Sequence, residues 1–423
     1  MVREIIQVRE FSRNRRLSAD ELSALQNKKL GALVRHAYKN VPYYQSLFKS
    51  AGLSPDDIRS VSDLKKIPIT TKDDLRRAGL ENILAKGIDI SSCRALDTSG
   101  STGEPFRVYF SKDDLRKRRA YEFCTLLAIG LRPFDRLAVL GPSRPHKSRL
   151  HQLLGFYRSD NISPVFSIEY QIKELISIKP TVLWAYPTVL NALLHKIDYT
   201  LSKLIKPSKL ITSAEIFNDS LKNRLKADMN IEMFNFYGSI ESGRVAAECR
   251  AHEGLHVNSD HVILECLKEN GEAKQTGLGA SVVTNLDIFT MPFIRYRLGD
   301  LFRFKEKRCY CGSSFPLIDP PIGRDEDMVR LPSSRILSAL PFMYILRGIS
   351  SIHQFRVIQE SLDHFVIQIA WRTNPVPEQV SNIRSRFTDF FAEPVRLDIE
   401  NAENITDEKL KFRHFISKVK PKE

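Results

Sequence analysis

The sequence predicts an α/β protein in two parts: a large N-terminal domain built on sheet with crossover helices, then a small α+β domain. Three observations predict it. The chain has 423 residues, too many for one ordinary core. Residues 94–300 alternate amphipathic segments with short apolar runs such as Arg136-Leu-Ala-Val-Leu140, Thr181-Val-Leu-Trp-Ala-Tyr186 and Leu210-Ile-Thr-Ser213, the alternation of strands and crossover helices. Beyond Arg324 the pattern changes to paired strand runs around one helix.

Residues 1–90 are expected to be helical, because Leu22, Leu25, Leu30 and Leu33 recur at helical spacing. Tyr38-Lys-Asn-Val-Pro-Tyr-Tyr44 breaks that pattern, and Ile67-Pro-Ile-Thr-Thr-Lys-Asp-Asp74 is a turn into a helix capped by Thr71. Cys93-Arg-Ala-Leu and the alternating Phe106-Arg-Val-Tyr-Phe110 are strands flanking Thr98-Ser-Gly-Ser-Thr-Gly-Glu-Pro105. Arg116-Lys-Arg-Arg119 reads as one turn of a solvated helix. A helix from Pro187 to Tyr199 has proline in its first turn. In the C-terminal part, Phe355-Arg-Val-Ile358 and His364-Phe-Val-Ile-Gln-Ile-Ala370 pair across a tight Ser361-Leu-Asp turn, followed by a helix from about Pro377 to Phe391 and a strand from Val395 to Ile399.

Composition narrows the function. The net charge of +14 suits phosphate-bearing small molecules, anionic membranes or nucleic acid. The basic residues are not gathered into a nucleic-acid-binding arm, so no specific nucleic-acid partner is expected. No apolar run approaches the ~18 residues of a membrane helix, so no transmembrane segment is expected. Met1-Val-Arg-Glu lacks a signal peptide's apolar segment, so the expected location is cytoplasmic. Six cysteines in so long a chain are no disulfide framework.

Four stretches carry chemistry-bearing residues, and a fifth joins them near the end. The Thr98–Pro105 loop offers glycines and hydroxyls, which let backbone N–H and side-chain O–H groups approach phosphate oxygens. Taken alone it is a polar hairpin turn, and no Gly-Lys-Ser/Thr follows to make it a P-loop. Asn235-Phe-Tyr-Gly-Ser-Ile-Glu241 ends an apolar strand in a glycine turn with a carboxylate three residues on; strand ends in α/β sheets are where ligands sit, and a glutamate there can hold Mg²⁺ beside phosphates. Pro292-Phe-Ile-Arg-Tyr-Arg-Leu-Gly-Asp300 sets a carboxylate on a Gly-Asp turn, able to accept two ribose hydroxyls. Gly323-Arg-Asp-Glu-Asp327 marks the hinge or linker between the parts, and Lys409-Leu-Lys-Phe-Arg413 supplies a lysine only if the small domain folds over the large one.

In this order and at these separations, the five stretches resemble the adenylate-forming enzyme superfamily. The similarity is to its phenylacetate–CoA ligase-like family, including the CapK-like members associated with capsular polysaccharide synthesis. Tyr38–Tyr44 and Ile67–Leu75 also look like that branch, so the resemblance spans nearly the whole chain. It implies a multi-sheet N-terminal adenylation domain over 1–324 that binds ATP and a carboxylic acid, and a mobile C-terminal lid over 325–423. Ser99, Gly100, Ser101, Thr102 and Gly103 match the phosphate-binding loop, with Thr102 counted as catalytic. Ser213, Ala214 and Glu215, with Asn235, Phe236, Tyr237 and Gly238, match the wall that receives adenine. Glu241 matches the magnesium-associated glutamate, Asp300 the ribose-binding aspartate and Arg324 the arginine beside it. Lys411 matches the lid lysine, with Lys409 its rival because Leu410 stands where glycine is usual. Tyr186, Pro187 and Gly238 fall where the acyl pocket is expected. The family often has a glycine shortly after the hinge, where a pantetheine arm passes; Leu331-Pro-Ser-Ser-Arg335 has none.

Cys249-Arg-Ala-His-Glu-Gly-Leu-His256 and Cys309-Tyr-Cys311 carry the ligand types of a structural Zn²⁺ site, with His256 favoured over His252 as the fourth ligand. Cys93, Cys124 and Cys266 sit in apolar settings and read as core. The leading expectation is an ATP- and Mg²⁺-dependent ligase that adenylates a carboxylic acid and transfers it to CoA. An amine or a carrier is the alternative acceptor, and a homodimer is an allowed assembly. A non-catalytic basic RNA- or membrane-binding protein is the reading from another class, separated by pyrophosphate release.

Overall fold

The computed structural model describes all residues except 1, 99–105, 142–151, 153, 165, 198–199, 216, 218, 269–270, 325–327, 340–344, 347–348, 350, 373–376, 403–404, 406–413 and 420–423. The N-terminal part is helical as expected, with α1 (Val2–Asn14), α2 (Ala19–Asn40), α3 (Pro42–Ser50), α4 (Lys72–Ala78) and α5 (Leu80–Ile83). Ser18 and Glu21 form a reciprocal capping box at the start of α2. Val41 ends that helix in extended conformation because Pro42 follows. Thr71 caps α4, with Asp74 closing a second box.

A hairpin of β1 (Arg94–Thr98) and β2 (Phe106–Phe110) leads into α6 (Lys112–Ala128). Arg116, Lys117 and Arg118 on α6 are partly buried, and the Arg118 guanidinium lies 4.7 Å over the Phe110 ring, so this is not a solvated turn. The basic stems cover apolar surface while the charged ends find partners. There follow β3 (Arg136–Leu140), β4 (Arg158–Ile162), α7 (Ile168–Ile178), β5 (Val182–Ala185), α8 (Pro187–Lys196), β6 (Lys209–Ser213), α9 (Asp219–Asp228), β7 (Glu232–Ser239), β8 (Gly243–Glu248) and β9 (Leu255–Val257). With β14 (Leu317–Ile318) they build an eight-stranded sheet ordered β14-β9-β8-β7-β6-β5-β3-β4. From β4 to β7 the strands are parallel, and from β7 to β14 antiparallel. All of β5 is buried, with Leu183 and Ala185 in one core and Val182 and Trp184 in another, as a strand covered on both faces requires.

The crossover pattern therefore stops at Ser239, earlier than the sequence suggests. Strands β10 (Val262–Leu267), β11 (Ala273–Lys274), β12 (Leu278–Asn285), β13 (Tyr296–Arg303) and β15 (Gly323–Arg324) make a second, wholly antiparallel sheet ordered β11-β10-β12-β13-β15. The C-terminal part follows the expectation closely. After the hairpin β16 (Met328–Arg330) and β17 (Ile336–Ser338) come β18 (Ile352–Ser361), β19 (His364–Trp371), α10 (Pro377–Phe391), β20 (Arg396–Asn401) and β21 (Phe415–Ser417). Ile383, Phe387 and Phe391 bury one face of α10 in the core of the sheet β20-β19-β18-β21. Among the described residues no helix is long and apolar enough to cross a membrane.

Candidate active site and cysteine–histidine cluster

Register places the carboxyl ends of the parallel strands side by side, since Leu140 pairs with Ala185, Ala185 with Thr212 and Ser213 with Phe236. Tyr186-Pro187, Ser213-Ala214-Glu215 and Asn235–Tyr237 thus share one edge, the edge where open α/β sheets hold ligands. Trp184 Nε1 donates to Ser213 Oγ at 2.8 Å. Ala214 follows at φ +69°, a left-handed conformation strained for alanine, and turns the chain away from the sheet. Asn235 N–H donates to the Glu248 carboxylate at 2.6 Å, and burial raises the pKa of that glutamate. The Phe236 ring is buried edge-on to Trp184, 5.6 Å between centroids, so its side chain belongs to the core.

The expected glycine turn at Gly238 is absent. Strand β7 runs on to Ser239, with a bulge between Tyr237 and Gly238. A Cβ on Gly238 would lie 2.3 Å from the Gly243 carbonyl oxygen of β8. This glycine lets two strands close, and the turn lies beyond it at residues 240–242. Likewise Gly299-Asp300 is no hairpin turn. Both residues lie inside β13, where Gly299 at φ +81° accompanies a bulge opposite β12.

The two candidate carboxylates, from different sheets, are each held by a buried tyrosine. Tyr237 OH donates to Asp300 Oδ2 at 2.8 Å, and Arg324 Nε, paired in register across β15, lies 3.8 Å from Asp300 Oδ1. Tyr296 OH donates to Glu241 Oε1 at 3.1 Å. Burial first, and the adjoining carboxylate second, push both phenol pKa values up, so both remain O–H donors. The aspartate and glutamate that the sequence singled out are thus brought to one region. Tyr296 was missed; its one signal was its place in the Pro292–Asp300 stretch. The loop residues Ser99, Gly100, Ser101, Thr102 and Gly103, and both Lys409 and Lys411, lie outside the described residues.

Cys249, His256, Cys309 and Cys311 gather with their ligand atoms all within 4.8 Å of one another. Cys249 Sγ is 3.7 Å from Cys309 Sγ, and Cys311 Sγ is 3.3 Å from His256 Nε2. Two sulfurs on a tetrahedral zinc stand about 3.8 Å apart, so the donor set fits such an ion in size and chemistry. His256 Nδ1–H donates to the Phe315 carbonyl at 3.2 Å, which leaves Nε2 as the ligand atom. Burial, with a smaller push from Arg15, lowers its pKa to about 4. Burial pushes the Cys249 thiol up to about 12; a cation at the centre would reverse that. His252 is elsewhere, stacked on Phe234 and 3.4 Å from Glu232, so of the two histidines it is His256 that lies with the three thiols. Of the other cysteines, Cys124 and Cys266 are buried as expected, whereas Cys93 is only half-buried.

The chain is 28% identical over 334 residues to phenylacetate–coenzyme A ligase of Thermus thermophilus, covering 74% of this chain and 72% of that one. It is 30% identical over 299 residues to phenylacetate–coenzyme A ligase of Aromatoleum evansii, covering 68% and 67%. Its fold matches 2-hydroxyisobutyryl-CoA ligase, solved in the postadenylation state with an acyl-AMP, with a TM-score of 0.74 over 96% of this chain and 91% of that one, at 16% identity. No family model matches the chain.

Proposed function

Because this chain belongs to the phenylacetate–coenzyme A ligase family, we propose that it activates a carboxylic acid with ATP as an acyl-adenylate, releases pyrophosphate and transfers the acyl group to coenzyme A. The observation that supports it best is the pair of carboxylates, Glu241 and Asp300, each fixed by a buried phenol beside the carboxyl edge of the parallel strands.

A carboxylate is a poor electrophile. Its attack on the α-phosphate, with pyrophosphate leaving, makes a mixed anhydride that a thiol can displace. Asp300 would accept the ribose hydroxyls, with Tyr237 holding Oδ2 and Arg324 beside Oδ1. Residues 99–103 would donate to the β- and γ-phosphates, and Lys411 would offset charge growing between carboxylate and α-phosphate. Magnesium held by Glu241 and the ATP phosphates would neutralise the leaving pyrophosphate, a site type needing only one or two protein carboxylates. Glu241 suits it, since among the described residues only Tyr296 bonds its carboxylate. The acid would lie against Tyr186 and Pro187. We read the cysteine–histidine cluster as a structural zinc site that cross-links residues 249–256 to 309–311 and takes no part in the chemistry.

A second reading, transfer to an amine in surface polysaccharide synthesis, draws support from the turn at 331–335. Ser334 there adopts φ +63° without being glycine, so a side chain stands where a pantetheine arm is expected to pass. The test is ATP–pyrophosphate exchange across a panel of aromatic and short-chain acids, followed by CoA and amine acceptors. Exchange with an acid and acyl-CoA as product is expected. ADP and phosphate as products, or no exchange with any acid, would overturn adenylation; an amide product would select the second reading.

A further inference from the structure

Three consecutive residues of the turn between β7 and β8 are gripped from three other elements. Arg118 of α6 donates to the Ile240 carbonyl at 2.5 Å. Tyr296 of β13 donates to Glu241 Oε1 at 3.1 Å, and Asn285, ending β12, donates through Nδ2 to the Ser242 carbonyl at 2.8 Å. Asn285 is itself fixed, its Oδ1 accepting from the N–H groups of Asp287 and Ile288. The grips on Ile240 and Ser242 fix the backbone on either side of the glutamate. They leave the carboxylate free to rotate about its own side-chain bonds, and among the described residues only the phenol of Tyr296 restrains it. Tyr296 is 2% exposed and meets Phe293 edge-on at 5.1 Å, so ring and hydroxyl are held by packing.

We propose that Tyr296 is a positioning residue for Glu241: by occupying Oε1 it leaves Oε2 as the oxygen presented to the magnesium–phosphate group. This rests on the reading of Glu241 as the magnesium-associated carboxylate. A phenol bound to one oxygen lowers the rotational freedom lost when the cation binds the other, so the tyrosine acts on metal affinity rather than on the phosphoryl chemistry.

Tyr296→Phe deletes one oxygen and keeps the ring. The first readout needs no turnover: Mn²⁺ binding to protein mixed with α,β-methylene-ATP, followed by the electron paramagnetic resonance of free Mn²⁺. Immobilising one side chain on binding weakens affinity by a small factor, so Mn²⁺ affinity should fall about two- to tenfold. The second readout is adenylation rate against Mg²⁺ concentration. The half-saturating concentration should rise by the same factor while the maximal rate is largely kept. Adding Tyr296→Phe to Glu241→Gln should cost nothing further. Tyr237→Phe, which removes the phenol on Asp300, should weaken nucleotide binding and leave the metal dependence alone. If Tyr296→Phe lowers the thermal midpoint too far for use, 3-fluorotyrosine at this position keeps the ring and strengthens the donor, and a changed Mn²⁺ affinity is then expected. An unchanged affinity in either folded variant, with Glu241→Gln impaired, overturns the tyrosine's role alone. An unchanged affinity in Glu241→Gln overturns the glutamate's role and the tyrosine's together.

Discussion

Gly238→Ala separates a strand-closing role for this glycine from a pocket-lining one. The alanine Cβ would stand 2.3 Å from Gly243 O and 3.3 Å from Arg244 Cα. Unstrained carbon–oxygen contacts begin near 3.3 Å, so β7 and β8 must part by about 1 Å. Gly238 does not adopt a positive φ, so alanine fits its backbone conformation and space is the sole obstacle. The turn carrying Glu241 joins these two strands, and the displacement passes into it. A misplacement of ~1 Å can lower a rate about a hundredfold, and overpacking costs about 1–3 kcal/mol of stability. Single-turnover adenylation should therefore fall about a hundredfold, with a lowered thermal midpoint and a smaller change in KM for the acid. Wild-type rate and midpoint would refute the closure argument. A raised KM for the acid at unchanged rate would return Gly238 to the acid pocket.

Three further outcomes are expected. Asp287 is fully inside, where burial alone would raise its pKa, yet Lys29 and His261 outweigh burial and bring it down to about 2. A depressed carboxylate contributes stability present above its unfolded value near 3.9 and lost as pH falls toward 2, here on the order of 2–3 kcal/mol; Lys29→Met should move acid unfolding, followed by circular dichroism, to higher pH. Cys309→Ser should abolish a metal content of about one zinc per chain by elemental analysis and lower the thermal midpoint, while pyrophosphate exchange in the surviving folded protein stays near wild type. Lys411→Ala should lower single-turnover adenylation roughly a hundredfold and spare transfer from a presynthesised acyl-adenylate; the same loss in Lys409→Ala instead would reverse that assignment.

Local signals were legible where one residue decides the outcome. Thr71 and Pro187 mark helix starts through a cap or a fixed φ, and each does so in the fold; Pro42, read only as part of a break, starts a helix in the same way. The C-terminal strands and helix were legible because their apolar periods are unbroken. What failed was the meaning of glycine followed by a carboxylate. At Tyr237-Gly238 and Gly299-Asp300 the sequence suggests a turn, but each glycine lies within a strand beside a bulge, because its partner strand approaches too closely or twists too far for a side chain. The acids of the site were legible by type. How they are held was not, because Tyr237, read as part of the adenine wall, and Tyr296, not singled out, come from strands whose neighbours are set only by sheet order. The cysteine–histidine cluster was legible by ligand type across its sixty-residue separation, yet only the fold separates His256 from His252.

The polar groups at the corner between α1 and α2 are held by partners that lie far along the chain. Asn14 reaches Asp260, Gln26 the Ser259 carbonyl and Lys29 Asp287, separations of 233 to 258 residues, and the Arg15 carbonyl accepts from Ser314 N–H. The apolar face of α2 is likewise completed by Ile263, Leu286 and Ile294. A ribosome adding about 5–20 residues per second would expose this corner for roughly ten to fifty seconds before its partners emerge. These polar ties are thus formed late in synthesis, and a nascent chain that stalls short of residue 287 presents chaperones and proteases with a corner whose Asn14, Gln26 and Lys29 still lack the partners that bury them.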